Sequence, residues 1–188
     1  MRRELLVLTG TAFWGFDELV VAADRAAVRL GLRGLAQIGG GRFRPRHLDW
    51  VRFLPEAELR ARLARRPLVV THGGMGLLGD AMRAGCRIVA VPRRGPTRRR
   101  NPANDQRALL ERLARRHPIR VCAAPEALEG VLAEVLRDPG PDPVYRLESD
   151  VPAIVRAFLA RTAAETPARR RTLSAGWPGR RRRAPDPG

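Results

Sequence analysis

The stretch Pro67-Leu68-Val69-Val70-Thr71-His72-Gly73-Gly74-Met75-Gly76 constrains the fold of this chain more than any other. A short, wholly apolar run stops in a glycine-rich turn. The turn opens into an amphipathic segment, Leu77 to Gly85, and a second apolar run, Arg87 to Val91, follows. This order reads as strand, tight loop, helix, strand. Glycines let a backbone approach a ligand closely, and the free amides of a helix N-terminus favour an anion. The ligand expected at this turn therefore bears phosphate.

The same alternation organises the rest of the chain. Glu4 to Leu8 reads as a strand entering the loop Thr9-Gly10-Thr11, and Phe16 to Leu30 has apolar residues at helical spacing with Gly31 as its stop. Leu35 to Ile38 and Trp50 to Leu54 read as further strands, and Pro55 to Arg65 as a short helix with proline in its first turn. After the two central strands come a helix from Asn104 to Arg116, a strand from Ile119 to Cys122 and a helix from Pro125 to Leu136. A proline-rich break at Pro139–Pro143 precedes a last amphipathic helix from about Val151 to Ala163. Strands alternating with 10–15-residue helices imply an α/β fold, a Rossmann-like parallel sheet with helices on both faces and ligands at the carboxyl ends of its strands. The folded domain is expected over residues 1–164. Residues 165–188, rich in arginine and proline, are expected to form a disordered tail that cannot bury enough surface to fold.

Composition narrows the class of protein. The chain has 188 residues, of which 44% are hydrophobic, ordinary for a soluble globular domain. No window reaches the roughly 20 apolar residues needed to cross a bilayer. The apolar run after Met1-Arg2-Arg3 is too short for a signal peptide. Cys86 and Cys122 lie in or beside apolar runs and read as buried free thiols, which implies a cytosolic address. The net charge of +17 comes from 36 basic residues, all arginine, with seven arginines against one aspartate in residues 166–188. A solvated basic surface and contact of the tail with anionic lipid headgroups both accommodate this charge. Nucleic acid fits it less well, because aromatics are sparse and no base-stacking platform is visible.

Three loops should converge at the carboxyl edge of the sheet: Thr9 to Trp14, Thr71 to Gly76, and Pro92 to Gln106. The first is not GxGxxG and the second lacks the Lys-Ser/Thr of a P-loop, so dinucleotide and Walker-type sites are excluded. Asp80 lies about one helical turn beyond Gly76. A carboxylate there can accept hydrogen bonds from a ribose, or it is an ordinary helix acid. No Asp-x-Asp pair indicates a dedicated metal site.

His72-Gly73-Gly74-Met75-Gly76, Asp80, Ala84-Gly85, Val91-Pro92-Arg93 and Asn104-Asp105-Gln106 together resemble the C-terminal domain of glycosyltransferase family 28. Small single-domain members are the most similar: exopolysaccharide proteins of the PssE type and the catalytic subunit of the two-subunit enzyme that adds the second GlcNAc to dolichol-linked sugar. Thr9-Gly10-Thr11, Phe16 to Val20 and Gln37-Ile38-Gly39 extend the likeness over roughly residues 4 to 136. The resemblance implies the C-terminal half of a GT-B glycosyltransferase, with a UDP-sugar as substrate and neither cofactor nor metal. It implies that Gly10 and Thr11 line the diphosphate side and that His72, Gly73, Gly74, Met75 and Gly76 offer loop amides to the phosphates. Asp80 would meet the ribose, Phe53 and Leu54 the uracil, Arg93 the diphosphate charge, and Asn104 with Gln106 the sugar. The chain departs from the pattern at Leu77, where many members have threonine, and at Asn104-Asp105-Gln106, which lacks a central histidine. No residue is an obvious general base. His72, near a helix N-terminus that depresses its protonation, is read either as that base or as a brace for the loop. Complete GT-B enzymes bind the acceptor on a second domain, so the resemblance implies a membrane-anchored acceptor-binding subunit as partner, at the cytoplasmic face of the inner membrane. A nucleotide-sugar-binding module without catalysis is the alternative.

Overall fold

The computed structural model describes residues 4–12, 15–94, 105–146 and 151–165. Asn104 and the tail beyond residue 165 lie outside the described residues. The chain divides into two compact units, Met1–Leu147 and Glu148–Gly188.

In the first unit the elements run β1 (Glu4–Leu8), α1 (Asp17–Leu30), β2 (Arg33–Gln37), β3 (Asp49–Val51), α2 (Glu56–Ala64), β4 (Leu68–Thr71), α3 (Met75–Arg83), β5 (Arg87–Ala90), α4 (Arg107–Arg116), β6 (Ile119–Val121) and α5 (Leu128–Arg137), with a 3-10 turn at Pro125–Ala127 before α5. The six described strands form one sheet in the order β3-β2-β1-β4-β5-β6, every pairing parallel. This is the α/β, Rossmann-like architecture expected. Because a strand points successive side chains to opposite faces, each apolar strand feeds two cores. Leu5, Val7, Val70 and Val89 pack beneath α1 and α5, against Leu19, Val20, Ala23, Leu128 and Leu132. Leu6, Leu8, Val69 and Ile88 pack beneath α2, α3 and α4, against Leu63, Leu78, Met82 and Leu110. Cys86 and Cys122 are free and buried, and burial pushes the Cys86 thiol up to about 11.

The third strand is shorter than its sequence suggests. It ends at Val51, so Phe53 and Leu54 lie in the turn that follows it. The connection from β2 to β3 carries no helix, and its backbone amides need other partners. Two α1 carboxylates supply them. Asp17 accepts from the Arg42 amide at 3.0 Å. Asp24, only 4% exposed, accepts from the amides of Arg46, His47 and Leu48 at 3.0, 3.0 and 2.9 Å. Burial pushes the Asp24 carboxyl up, but the three amide donors outweigh it and its pKa lies below the usual value. Gly31, at φ 63°, ends α1 in the left-handed conformation that favours glycine.

In the second unit, α6 runs Val151–Glu165. Among the described residues no helix is long and apolar enough to cross a membrane.

Asp24→Ala orphans three buried or half-buried amides and should lower unfolding stability by about 2–4 kcal/mol, read as a fall in the urea midpoint.

Candidate anion-binding site at the carboxyl edge

The strand order reverses between β1 and β4, which are hydrogen-bonded neighbours although β2 and β3 intervene in sequence. In open α/β sheets such a switch point opens a crevice outside the carboxyl ends of its two strands. Here the crevice is bordered by Thr9-Gly10-Thr11, leaving β1, and by His72-Gly73-Gly74, leaving β4. The two loops touch: a Cβ placed on Gly10 would lie 2.7 Å from Nε2 of His72. Gly10 also has φ +82°, so a larger residue is excluded there twice over.

The β4 loop delivers the chain into α3 with no side-chain cap and no acid in its first turn. α4 shares this lack, whereas α1, α2 and α5, also without side-chain caps, begin with acids at Asp17 and Glu18, Glu56 and Glu58, and Glu129. The Gly74 amide donates to Nδ1 of His72, and the Leu78 amide closes the first helical bond to the Gly74 carbonyl. The amides of Met75, Gly76 and Leu77 stand between them with no acceptor within the helix. Met75 and Gly76 are exposed, and a Cβ on Gly76 would meet nothing within 4 Å. The glycines thus divide their work. Gly73 and Gly74 are small because Gln106 and His72 pack against them, at 2.9 and 2.2 Å from a notional Cβ, whereas Gly76 faces open space.

Gln106 locks this arrangement. Its Oε1 accepts from the Gly73 amide at 2.8 Å and the Arg93 amide at 3.2 Å, and its Nε2 lies 3.3 Å from Nδ1 of His72. The side-chain amide expected at the sugar is therefore committed to bracing the loop. His72 receives the Gly74 amide on Nδ1 at 2.8 Å, which leaves its proton on Nε2, toward Gly10. Burial, and then the nearby Arg93 charge, lower its pKa to about 4. At neutral pH the ring is neutral, with Nδ1 occupied by the Gly74 amide.

Arg93 is 6% exposed and donates to the carbonyls of Thr9, at 2.9 Å, and Gly15 while its guanidinium stacks 4.9 Å over the Phe16 ring. It makes no ion pair among the described residues, and burial lowers its pKa. Its guanidinium is thereby engaged by the β1 loop and the Phe16 ring. Gln37, 3% exposed at the end of β2, donates to the Gly10 carbonyl at 3.4 Å and accepts from the Leu54 amide at 3.1 Å. That side chain ties the Phe53–Leu54 turn to the β1 loop. Phe53 is 51% exposed and Leu54 half-buried. Thr11 is exposed on the rim. Asp80 is half-buried on α3 and ion-paired with Arg83 on its own helix. A glutamine inside an apolar strand is a visible signal of the brace at Gln37, whereas nothing in the sequence marks Phe16 as the platform for Arg93.

A surface cleft of about 510 Å³ lies beside α1, lined by Asp17, Glu18, Arg25, Arg29, Glu126 and Glu129 among others. Its four carboxylates oppose an anion. Among the described residues no group of three or more His, Cys, Asp or Glu side chains is placed to hold a metal ion.

No family model matches the chain, and no curated protein matches it. Solved structures do. The glycotransferase of kitacinnamycin aligns with a TM-score of 0.54 at 23% identity, over 73% of this chain and 35% of that one. CalG4, the calicheamicin glycosyltransferase, aligns with a TM-score of 0.55 at 20% identity, over 73% of this chain and 36% of that one. The chain has the fold of part of a glycosyltransferase. It spans about a third of the length of these two enzymes.

The His72 imidazole should stay neutral, with its proton on Nε2, down to about pH 4 in nitrogen-detected NMR. Its folded pKa is below the ordinary 6.5, so the unfolded chain takes up the proton first as pH falls. Stability should drop between pH 6.5 and about 4, and His72→Gln should remove that component of the drop in denaturant titrations.

Proposed function

We propose that this chain is the donor-binding, catalytic subunit of a glycosyltransferase that moves a hexosyl or N-acetylhexosaminyl group from a UDP-sugar to a lipid-linked or polysaccharide acceptor. The observation that carries this reading is the N-terminus of α3 at the β1–β4 switch point, with no side-chain cap and no first-turn acid, beside a buried arginine that makes no ion pair among the described residues. A diphosphate supplies negative charge that suits both features. The likeness of fold to glycosyltransferases supports the same class of ligand.

In the reaction, the bond between the anomeric carbon and the diphosphate oxygen breaks and the bond to the acceptor oxygen forms. The amides of Met75, Gly76 and Leu77 and the Nε2–H of His72 stabilise the departing diphosphate, with the Arg93 charge behind them. The uracil is assigned to the Phe53–Leu54 turn and the ribose to Asp80; the sugar is assigned, on the family resemblance alone, to Asn104 and Gln106, of which Asn104 lies outside the described residues. The acceptor hydroxyl must lose a proton, and His72 is not available to take it. Base and acceptor site are therefore assigned to a membrane-anchored partner subunit. The committed nitrogen of His72 also suits a second reading, a nucleotide-sugar-binding regulatory module. Donor binding without turnover in the reconstituted complex would select it.

Calorimetry with UDP and UDP-sugars tests the donor site, and co-expression with the membrane-anchored partner tests transfer. Absence of both binding and transfer would sink the proposal. Gly76→Glu gives a sharper check, because a notional side chain there meets open space. A first-turn acid should stabilise α3 by about 0.3–1 kcal/mol and raise the melting temperature, while its carboxylate competes for the amides and weakens UDP binding at least ~10-fold.

A further inference from the structure

Helix α6 exposes apolar side chains in a row. Ile154, Val155, Phe158 and Leu159 are 58, 47, 54 and 57% exposed. Their spacing places them on one face of the helix. Single exposed apolar residues need no explanation, but four along one face form a patch. Arg156 and Arg161 share the helix. The sequence then continues with Arg169-Arg170-Arg171, Leu173, Trp177 and Arg180 to Arg183, so that residues 166–188 hold seven arginines and one acid.

The occupant of this face must offer apolar cover for the helix and negative charge to Arg156 and Arg161 upon it, in a chain of net charge +17. A second copy of the chain meets the first demand but brings the same positive charge. An anionic lipid leaflet meets both, since acyl chains lie a few ångströms beneath a plane of phosphates. Trp177 and Leu173, set between the arginine clusters, are residue types that partition to that boundary. We propose that α6 docks on an anionic membrane surface, its Ile154–Leu159 face in the headgroup–acyl boundary and its Arg156 and Arg161 on lipid phosphates. With 15 residues at ~1.5 Å each, the helix falls short of the ~30 Å hydrocarbon core and lies on the bilayer. This inference does not depend on the donor-site reading, and its test uses no nucleotide.

Flotation of the full chain with phosphatidylcholine vesicles, with and without about a third phosphatidylglycerol, decides it. Expected is co-flotation with the anionic vesicles and at least ~10-fold weaker partition to the neutral ones, with binding weakened as salt shortens the Debye length from ~10 Å at 0.1 M toward ~3 Å at 1 M. Phe158→Ser/Leu159→Ser should weaken binding at low salt at least ~10-fold through lost apolar burial, while its thermal melt by circular dichroism stays that of the unsubstituted chain. A milder variant, Leu159→Ala, should fall between the two. Equal binding to both vesicle types would overturn the proposal. So would flotation of the double variant at unchanged strength, association of copies through α6 without vesicles, or capture of RNA in place of lipid.

Discussion

The parallel pairing of β1 with β4 is the constraint on which the rest of this structure depends. Leu5 to Leu8 lie in register with Leu68 to Thr71, although more than sixty residues separate them in sequence. Thr71 adds a side-chain bond across the seam, its hydroxyl donating to the Leu8 carbonyl at 3.0 Å. Because both strands run the same way, the loops that leave them emerge at the same edge. One loop brings Gly10 and the other His72, and the contact between them defines the crevice. An antiparallel pairing of the same strands would have sent the two loops to opposite ends of the sheet.

Electrostatics at that edge is organised around absences that are costly unless a ligand fills them. A buried guanidinium with no ion pair among the described residues and a helix N-terminus without a capping side chain or first-turn acid both raise the local potential. The protein spends hydrogen bonds to keep them in place. Arg93 is held by the Thr9 and Gly15 carbonyls and by the Phe16 ring, and the β4 loop is held by Gln106. His72, drained of charge by burial and by Arg93, contributes a donor without adding a titrating cation. The result is a rigid, positive cradle whose hydrogen-bonding groups are mostly backbone amides. Such a site suits an oxyanion more than it suits proton transfer.

Most of the sheet was legible because its strands are buried on both faces. Near-continuous runs such as Leu5-Leu6-Val7-Leu8 and Leu68-Val69-Val70 have no polar residue that would place them anywhere else. Trp50 to Leu54 was over-read, since the apolar character of Phe53 and Leu54 persists after the ladder hydrogen bonds end at Val51. Within the site, the glycine turn and its role at a helix N-terminus were visible from spacing. The partners of Gln106, Arg93 and Gln37 were not, because each bonds to backbone groups of loops that are distant in sequence.

The sequence by itself therefore determined the alternation of strands and helices, the two-faced burial of the sheet, and the presence of a glycine-rich turn opening a helix. Those features follow from local periodicity and from residue type. Only the tertiary structure decided that β1 and β4 are neighbours, that Gln106 braces the turn, and that Arg93 stands buried with no ion pair among the described residues. These depend on which carbonyls and amides come within hydrogen-bonding distance after the chain has crossed the sheet, and local sequence does not encode that proximity. Glycine at 73, 74 and 76 looks uniform in the sequence; packing against Gln106 and His72 makes two of them structural and leaves Gly76 facing the space a ligand can occupy.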